Sequence, residues 1–273
     1  MRPVELHVTR AAGPAERTLL VIHGGPDWDH SYLLDPLREL AGEVRVLWPD
    51  LRGCGRSPGG LPPGAYTPDA AVGDLLALLG SLGDGPVDVL GFSYGGLLAQ
   101  RLALAAPERV RRLVIASSTV LPVPGDAFDG WPERAERRAA EARVWADPTL
   151  DGPELTRSAA FAGAPANVWR AAALAEYRAR LARVRFTAEW LGPFRAGTLP
   201  PALPERAADR LAALGLPTLL LHGRQDMVFP AELAREAAAR IPTARAAILD
   251  EAGHMAHVDQ PGPWLTAVRA HLA

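Results

Sequence analysis

Lysine is absent from the 273-residue sequence, so arginine supplies all 29 of its strongly basic side chains. These arginines are spread along the chain, which is typical of a solvated surface rather than of a phosphate-binding site. With 31 acidic residues they give a formal net charge of −2, which leaves no strong field to favour nucleic acid or an anionic membrane. We therefore expect a small-molecule or short-peptide substrate, with no nucleic acid or membrane partner and no cofactor. The oligomeric state stays open.

Cysteine and long apolar runs are also scarce. The single cysteine, Cys54, excludes an intrachain disulfide and leaves the redox compartment unconstrained. The opening stretch MRPVELHVTR lacks the apolar run of a secretion signal, and no segment reaches the roughly 20 apolar residues of a membrane span. A cytoplasmic protein is the resulting expectation.

Short apolar runs alternate with helical patterns along most of the chain, which predicts an α/β fold. A mostly parallel sheet covered by helices on both faces follows from that alternation, with ligands bound beyond the carboxyl ends of the strands. The predicted strands are 4–9, 18–22, 44–48, 87–90, 113–116, 218–221 and 246–249, with a turn at 11–17. The predicted helices are 68–82, 94–106, 231–240 and 263–272.

The alternation stops between residues 120 and 210, where prolines interrupt Ala-, Arg- and Glu-rich helical stretches. We predict a helical cap over 120–210 and one core domain formed by 1–119 and 211–273. Nine of the 17 aromatic residues lie in this third of the chain, so most should fill a small core of its own. A few should line a substrate pocket. The candidates are Trp131, Trp145, Trp169 and Trp190.

A serine stands between glycines where a predicted strand becomes a helix. The stretch reads Gly91-Phe92-Ser93-Tyr94-Gly95. A tight turn there holds the serine hydroxyl above the sheet, at a helix N-terminus whose free N–H groups favour a developing oxyanion. The pattern predicts a nucleophile elbow with Ser93 as the nucleophile.

A nucleophilic serine also needs oxyanion donors, a base and an acid. The loop His23-Gly24-Gly25-Pro26 follows an apolar strand, and glycine lets a backbone N–H approach a substrate closely. We predict the N–H groups of Gly25 and Tyr94 as the oxyanion hole.

Two histidines, His254 and His257, follow the last predicted strand. We predict His254 as the base, and a metal pair formed by both histidines is the competing interpretation. Asp226, in the loop after strand 218–221, is the predicted acid that holds the tautomer of His254. The sequence implies no metal site. Three further histidines are expected on the surface: His7, His30 and His271.

These motifs together resemble the α/β-hydrolase fold family and, within it, the prolyl aminopeptidases (proline iminopeptidases). The family's H-G-G-P-G reads HGGPD at 23–27, and its D-x-R-G-C/S-G-x-S reads DLRGCGRS at 50–57. The elbow at 91–96, GRQD at 223–226 and AGH at 252–254 also match, so the resemblance covers the predicted core domain. It implies a serine hydrolase that releases N-terminal proline through an acyl-enzyme.

Asp27 replaces the final glycine of the family's H-G-G-P-G motif. A carboxylate beside an oxyanion hole opposes the developing charge unless it is paired, turned away or bound to a cation. Asp27 is therefore a candidate substrate-binding residue that would meet an ammonium group.

Other activities stay open, because a fold does not determine a function. The alternatives are a carboxylesterase, thioesterase or other acyl hydrolase on a small apolar substrate, a synthase or lyase in a biosynthetic pathway, and a non-catalytic binding protein. Dehalogenases and epoxide hydrolases of this fold use an aspartate nucleophile, whereas position 93 is serine.

Overall fold

A computed structural model describes residues 2–13 and 17–273. Within these residues the chain forms a seven-stranded sheet with the order β1-β3-β2-β4-β5-β6-β7. The strands are β1 Val8–Ala11, β2 Thr18–Ile22, β3 Arg45–Pro49, β4 Val87–Phe92, β5 Val110–Ala116, β6 Thr218–Gly223 and β7 Ala244–Leu249. Only β1 runs antiparallel to its neighbour, and the other pairings are parallel.

Helices connect these strands. The α-helices are α1 Leu34–Leu37, α2 Pro68–Ser81, α3 Tyr94–Ala105, α4 Pro132–Trp145, α5 Gly152–Ala162, α6 Ala164–Asn167, α7 Leu174–Leu181, α8 Leu191–Arg195, α9 Ala207–Leu214, α10 Ala231–Arg240, α11 Ala256–Asp259 and α12 Pro261–Leu272. Short 3₁₀ helices occur at His30–Leu33, Arg38–Leu40, Pro63–Ala65, Pro107–Arg109 and Ala171–Ala173.

Both faces of the sheet are covered, as β2 shows. Leu20 and Ile22 pack into the core layer beneath α2, α3 and α10, whereas Leu19 and Val21 pack on the opposite side with α1 and α12. Side chains alternate between the faces of a strand, so a strand buried on both faces reads as a continuous apolar run. The predicted α/β class with a mostly parallel sheet is confirmed.

The first predicted strand, 4–9, is wrong in its position, because β1 begins only at Val8. The N–H groups before it bond to side chains instead: that of Val4 donates to Asp74 Oδ1 at 2.7 Å and that of His7 to Ser57 Oγ at 2.9 Å. The turn predicted at 11–17 includes residues 14–16, which lie outside the described residues.

Between β5 and β6 the predicted cap forms helices α4 to α8 and loops, and residues 120–210 contain no strand. The predicted boundary at 210 falls inside α9, which packs against α3 and α10 beside the sheet. The division into core and cap stays a prediction.

Two glycines let α3 approach the sheet closely. A Cβ atom on Gly95 would lie 2.2 Å from the carbonyl oxygen of Ile22 and 2.5 Å from that of His23. A Cβ on Gly91 would lie 2.3 Å from the carbonyl oxygen of Gly95. These positions fix the start of α3 against the ends of β2 and β4, where the predicted site residues lie.

We expect Gly95→Ala to lower the free energy of unfolding by about 2 kcal/mol or more, because the added methyl group must displace backbone carbonyls. Gly80→Ala is the matched control, since Gly80 is exposed in α2 and a Cβ there meets nothing within 4 Å in the described residues. The control should gain about 0.5–1 kcal/mol, as alanine favours helix over glycine. Urea unfolding measures both, and equal effects would contradict the packing argument.

Candidate active site

The chain turns sharply at Ser93, between β4 and α3. Ser93 has φ 52° and ψ −121°, a conformation that L residues rarely adopt. It is held in place because its N–H donates to the Ala116 carbonyl and its own carbonyl accepts from Gly96 N–H, both at 2.9 Å. The serine side chain therefore lies at the N-terminus of a 12-residue helix.

The structure brings together the three residues that the sequence predicts as nucleophile, base and acid. Ser93 Oγ lies 3.0 Å from His254 Nε2, and His254 Nδ1 lies 2.9 Å from Asp226 Oδ2. Both His254 and Asp226 are buried. Because one imidazole contacts both partners, a proton can pass from the serine to Nε2 while the carboxylate holds Nδ1–H.

Asp226 is surrounded by donors. Its Oδ1 accepts the N–H groups of Val228 at 2.7 Å and Phe229 at 3.0 Å. Its Oδ2 accepts from His254 and lies 3.0 Å from Nε2 of a second histidine, His222. Burial would raise the pKa of Asp226, but the charges and hydrogen bonds of the two histidines outweigh it and hold this pKa well below its usual range. The carboxylate therefore stays ionised.

His222 is a site residue that the sequence analysis missed. Its Nε2 lies 2.8 Å from the Phe229 carbonyl as well as next to Asp226 Oδ2. Both neighbours are acceptors, so Nε2 carries the proton. Its Nδ1 is buried without a hydrogen-bond partner among the described residues. The available signal was a polar residue that ends the apolar run TLLL, four positions before Asp226.

His257 belongs to the core rather than to the site. Its Nε2–H donates to the Tyr32 carbonyl at 3.2 Å, and its ring packs on Phe92 and Trp264. Burial, with a smaller contribution from Arg180, lowers the pKa of His257 to about 3. In the described part of the chain no three His, Cys, Asp or Glu side chains converge as metal ligands would.

The expectation that three other histidines lie on the surface is wrong for two of them. His30 is buried, and its Nδ1 lies 2.6 Å from Asp50 Oδ1. His271 is buried as well, and this burial lowers its pKa to about 4. Only His7 keeps part of its surface in solvent. The spacing of apolar residues does not show that a histidine will be buried next to a carboxylate, as His30 is next to Asp50.

The loop after β2 approaches Ser93 closely. His23 Nδ1–H donates to the Gly24 carbonyl, and its Nε2 accepts the Leu51 N–H, each at 3.0 Å. A Cβ on Gly24 would lie 2.7 Å from Ser93 Cβ. Gly25, with φ 59°, lines the same cleft as Ser93 and His254. Tyr94 begins α3, so its N–H has no acceptor within its own helix. The assignment of the Gly25 and Tyr94 N–H groups as an oxyanion hole stays a prediction.

Asp27 is bonded to the predicted cap. Its Oδ1 accepts the Trp190 N–H at 3.0 Å and the Thr187 hydroxyl at 3.2 Å, and its carbonyl accepts the Thr187 N–H at 2.8 Å. Burial raises the pKa of Asp27, although these hydrogen bonds act against it. Part of Asp27 lines an apolar cavity near Ser93, but its Oδ1 is occupied by these hydrogen bonds to the predicted cap.

Asp259 makes a second connection of the same kind. Its Oδ2 accepts the N–H groups of Gly253 and Trp169, both at 2.8 Å, and its Oδ1 accepts that of Arg170 at 2.9 Å. Because Gly253 precedes His254, this carboxylate ties the loop of the predicted base to the predicted cap.

Two adjacent cavities lie near Ser93. The first, the catalytic cleft, has a volume of about 190 Å³ and includes Ser93 and His254 in its wall. The second, the inner chamber, has a volume of about 250 Å³ and a mainly apolar wall. They share the lining residues Gly25, Trp28, Glu141 and Asn167. A mainly apolar space, of the kind that holds small molecules, therefore lies next to the cleft that contains Ser93.

The four candidate tryptophans divide into two pairs. Trp145 and Trp190 line the inner chamber. Trp190 is buried, and its Nε1 donates to the Arg52 carbonyl at 2.8 Å. Trp131 contacts Phe128, and Trp169 contacts the guanidinium of Arg137. Neither of these two contributes to the wall of the cleft or chamber.

Comparison with known proteins agrees with this geometry. The family model of the alpha/beta hydrolase fold matches residues 17–261, so the chain belongs to the α/β-hydrolase family. It is 36% identical over 168 residues to lipase LipV of Mycobacterium tuberculosis, a match that spans 56% of this chain and 59% of that protein. It is 30% identical to the putative carbamate hydrolase RutD of Pseudomonas syringae, covering 98% of both chains.

Among solved structures, a thermophilic esterase from Thermogutta terrifontis superposes with a TM-score of 0.71 at 26% identity, covering 98% of this chain and 93% of that one. Among the residues that the structure describes, no helix combines the length and apolarity needed to cross a lipid bilayer.

We expect His222→Leu to shift the reactivity of Ser93 towards higher pH. Without the His222 donor, Asp226 carries more negative charge and stabilises the protonated, unreactive form of the site more strongly, so the reactive form is reached at higher pH. The rate of Ser93 labelling by a fluorophosphonate, measured against pH, should move by on the order of half a pH unit. His222→Gln keeps an N–H donor and should move less. A slower rate with an unmoved pH midpoint would indicate a merely structural role.

Proposed function

We propose that this protein is a serine hydrolase that cleaves esters of small apolar acyl groups through an acyl-enzyme. The observation that carries the proposal is the line of hydrogen bonds Ser93–His254–Asp226, which ends beside an apolar chamber. Its lipase, carbamate hydrolase and esterase relatives are named for reactions at carboxyl-type carbonyls, which favours the same chemistry.

The reaction takes two stages. In the first, Ser93 Oγ attacks the ester carbonyl as its proton moves to His254 Nε2, and the N–H groups of Gly25 and Tyr94 hold the oxyanion. The carbonyl then re-forms, the C–O bond to the alcohol breaks, and Nε2–H protonates the departing oxygen. In the second, a water molecule loses a proton to Nε2 and attacks the acyl carbonyl. The bond from that carbonyl to Ser93 Oγ then breaks, and Nε2–H returns the proton to Oγ, which releases the acid and free Ser93. Asp226 stays ionised and stabilises the imidazolium throughout.

An ester fits this site better than a peptide with a free N-terminus. An aminopeptidase needs a carboxylate with free oxygens near the nucleophile to hold the substrate ammonium group. Asp27, the sequence-based candidate, uses Oδ1 for the Trp190 N–H and the Thr187 hydroxyl. Glu141, which lines the cleft, pairs with Arg138 at 2.9 Å. These contacts argue against the prolyl aminopeptidase that the motifs imply. The hydrogen-bonded Ser93, His254 and Asp226 argue against a non-catalytic binding protein.

We expect p-nitrophenyl butyrate to be hydrolysed, and proline p-nitroanilide and its N-acetyl form to be poor substrates. Ser93→Ala and His254→Ala should each lower kcat by about 10⁴-fold or more, and the double variant should lose little beyond either one. Asp226→Asn should be severe as well, because it favours the wrong tautomer of His254. Efficient cleavage of the free arylamide, with a loss of about 10²-fold on N-acetylation, would instead establish the aminopeptidase.

We expect the inner chamber to determine which lengths of acyl chain the protein prefers. Trp145→Ala is expected to lower kcat/KM for p-nitrophenyl hexanoate by about tenfold relative to the acetate, because apolar contact with the longer chain is lost. Trp131→Ala is the matched control, since Trp131 lies outside the chamber wall, and its ratio should equal that of the wild type. The same ratio in wild type and Trp145→Ala would count against the chamber as the acyl site.

A further inference from the structure

A pair of oppositely charged side chains lies in the wall of the catalytic cleft, although a wholly apolar ester needs no charged group there. Arg138 and Glu141, both on α4, line the cleft together with Ser93 and His254. Their ion pair joins Arg138 Nη2 to Glu141 Oε2 at 2.9 Å. The Arg138 side chain is 31% exposed and that of Glu141 is 19% exposed. Half-buried charges beside an apolar chamber cost desolvation energy, so their place in the wall points to a polar group on the substrate.

Other arginines on α4 have structural roles that Arg138 does not share. Arg134 Nε donates to the Met227 carbonyl at 2.9 Å, and Arg137 Nη1 donates to the Val168 carbonyl at 3.1 Å. Both bonds tie α4 to neighbouring loops. Within the described residues, Arg138 forms one polar contact, its ion pair with Glu141. A guanidinium has five N–H donors, so most of those on Arg138 are available to a ligand.

Glu141 is the member of the pair that is already occupied. Its Oε2 accepts from Arg138, and its Oε1 accepts from Trp145 Nε1 at 3.4 Å. Glu141 therefore orients the guanidinium, while Arg138 supplies the free donors. The ligand group that complements free guanidinium donors is a carboxylate, which Arg can bind through two parallel hydrogen bonds.

The position of the pair indicates which end of an ester carries that carboxylate. Arg138 and Glu141 also line a neighbouring groove with Ala142, Trp145 and Ala146, so both side chains stand between that groove and the cleft. Arg138 does not contribute to the wall of the inner chamber, which is the proposed site of the acyl group, so Arg138 meets the remaining portion of the ester. The cleft volume of about 190 Å³ is room for on the order of six water molecules, so a group on Arg138 is separated from Ser93 by one small ring or short chain.

We propose that Arg138 binds a carboxylate on the alcohol portion of the substrate, so that the preferred substrates are esters whose leaving group is an anionic hydroxy acid. This inference rests on the proposed ester hydrolysis and adds the substrate class. Glu141 acts as a positioning residue for Arg138.

The test compares two butyrate esters that differ in one charge, those of 4-hydroxybenzoate and 4-hydroxybenzamide. The ratio of their kcat/KM values in each variant is divided by the wild-type ratio, which cancels the intrinsic reactivity of the leaving groups. Arg138→Gln should lower the relative ratio by about tenfold, mainly through KM. Arg138→Lys should keep part of the preference, because it retains the charge. Glu141→Gln should raise the ratio, because its amide oxygen still accepts a hydrogen bond from Arg138 while the competing negative charge is removed.

Arg143→Gln is the matched control, since Arg143 lies on the same helix but is exposed and outside the cleft wall. It should leave the ratio and the activity unchanged. The proposal would be overturned if Arg138→Gln left the ratio of the two kcat/KM values unchanged, or if Arg143→Gln lowered that ratio equally.

A binding measurement separates this proposal from the reaction itself. In calorimetry with Ser93→Ala, 4-hydroxybenzoate should bind more tightly than 4-hydroxybenzamide, and adding Arg138→Gln should remove the difference. If this Arg138-dependent binding is present while no ester is hydrolysed, the proposed function fails and the carboxylate site stands. If esters are hydrolysed and neither the ratio nor the binding depends on Arg138, the carboxylate site fails and the proposed function stands.

Discussion

The absence of a side chain at Gly95 is the constraint on which the rest of the site depends. It lets the first turn of α3 approach the carbonyl groups of Ile22 and His23. That contact places the serine turn beside the glycine loop after β2, so Ser93 and Gly25 share one cleft. The strained φ of Ser93 persists because the strand before it and the helix after it are both fixed by packing. The position of α3 thus decides where Ser93 and its proposed oxyanion donors meet.

A second set of constraints comes from buried carboxylates. Asp226 is kept ionised by two histidines, whereas Asp27 and Asp259 accept backbone N–H groups of the predicted cap. Each of these three side chains joins parts of the chain that are far apart in sequence. The site is therefore assembled by polar contacts above a sheet whose own stability comes from apolar packing, and the two can be altered separately.

The sequence was most informative where the chemistry and the backbone share one local pattern. Ser93 could be predicted because a strand, a glycine turn and a helix follow one another, and His254 and Asp226 because each follows a strand end. His222 could not, because its contact with Asp226 depends on how the loop folds back over β6. The hydrogen bond that occupies Asp27 Oδ1 could not be predicted either, because its donor, the Trp190 N–H group, is far away in the sequence. The first strand was misplaced because its apolar pattern does not show that loop side chains take its N–H groups.

The contacts of Asp27 and Asp259 with the predicted cap have a consequence for how this enzyme family can diversify. Both carboxylates recognise main-chain N–H groups, which every residue except proline supplies. Most side chains of the predicted cap can therefore be exchanged without loss of these main-chain contacts, although the Thr187 hydroxyl and the Trp190 ring add side-chain contacts of their own. Residues that face the chamber, which is the proposed acyl site, can vary while these main-chain contacts stay the same. An attachment of this kind lets substrate preference change during evolution while the position of the predicted cap is kept.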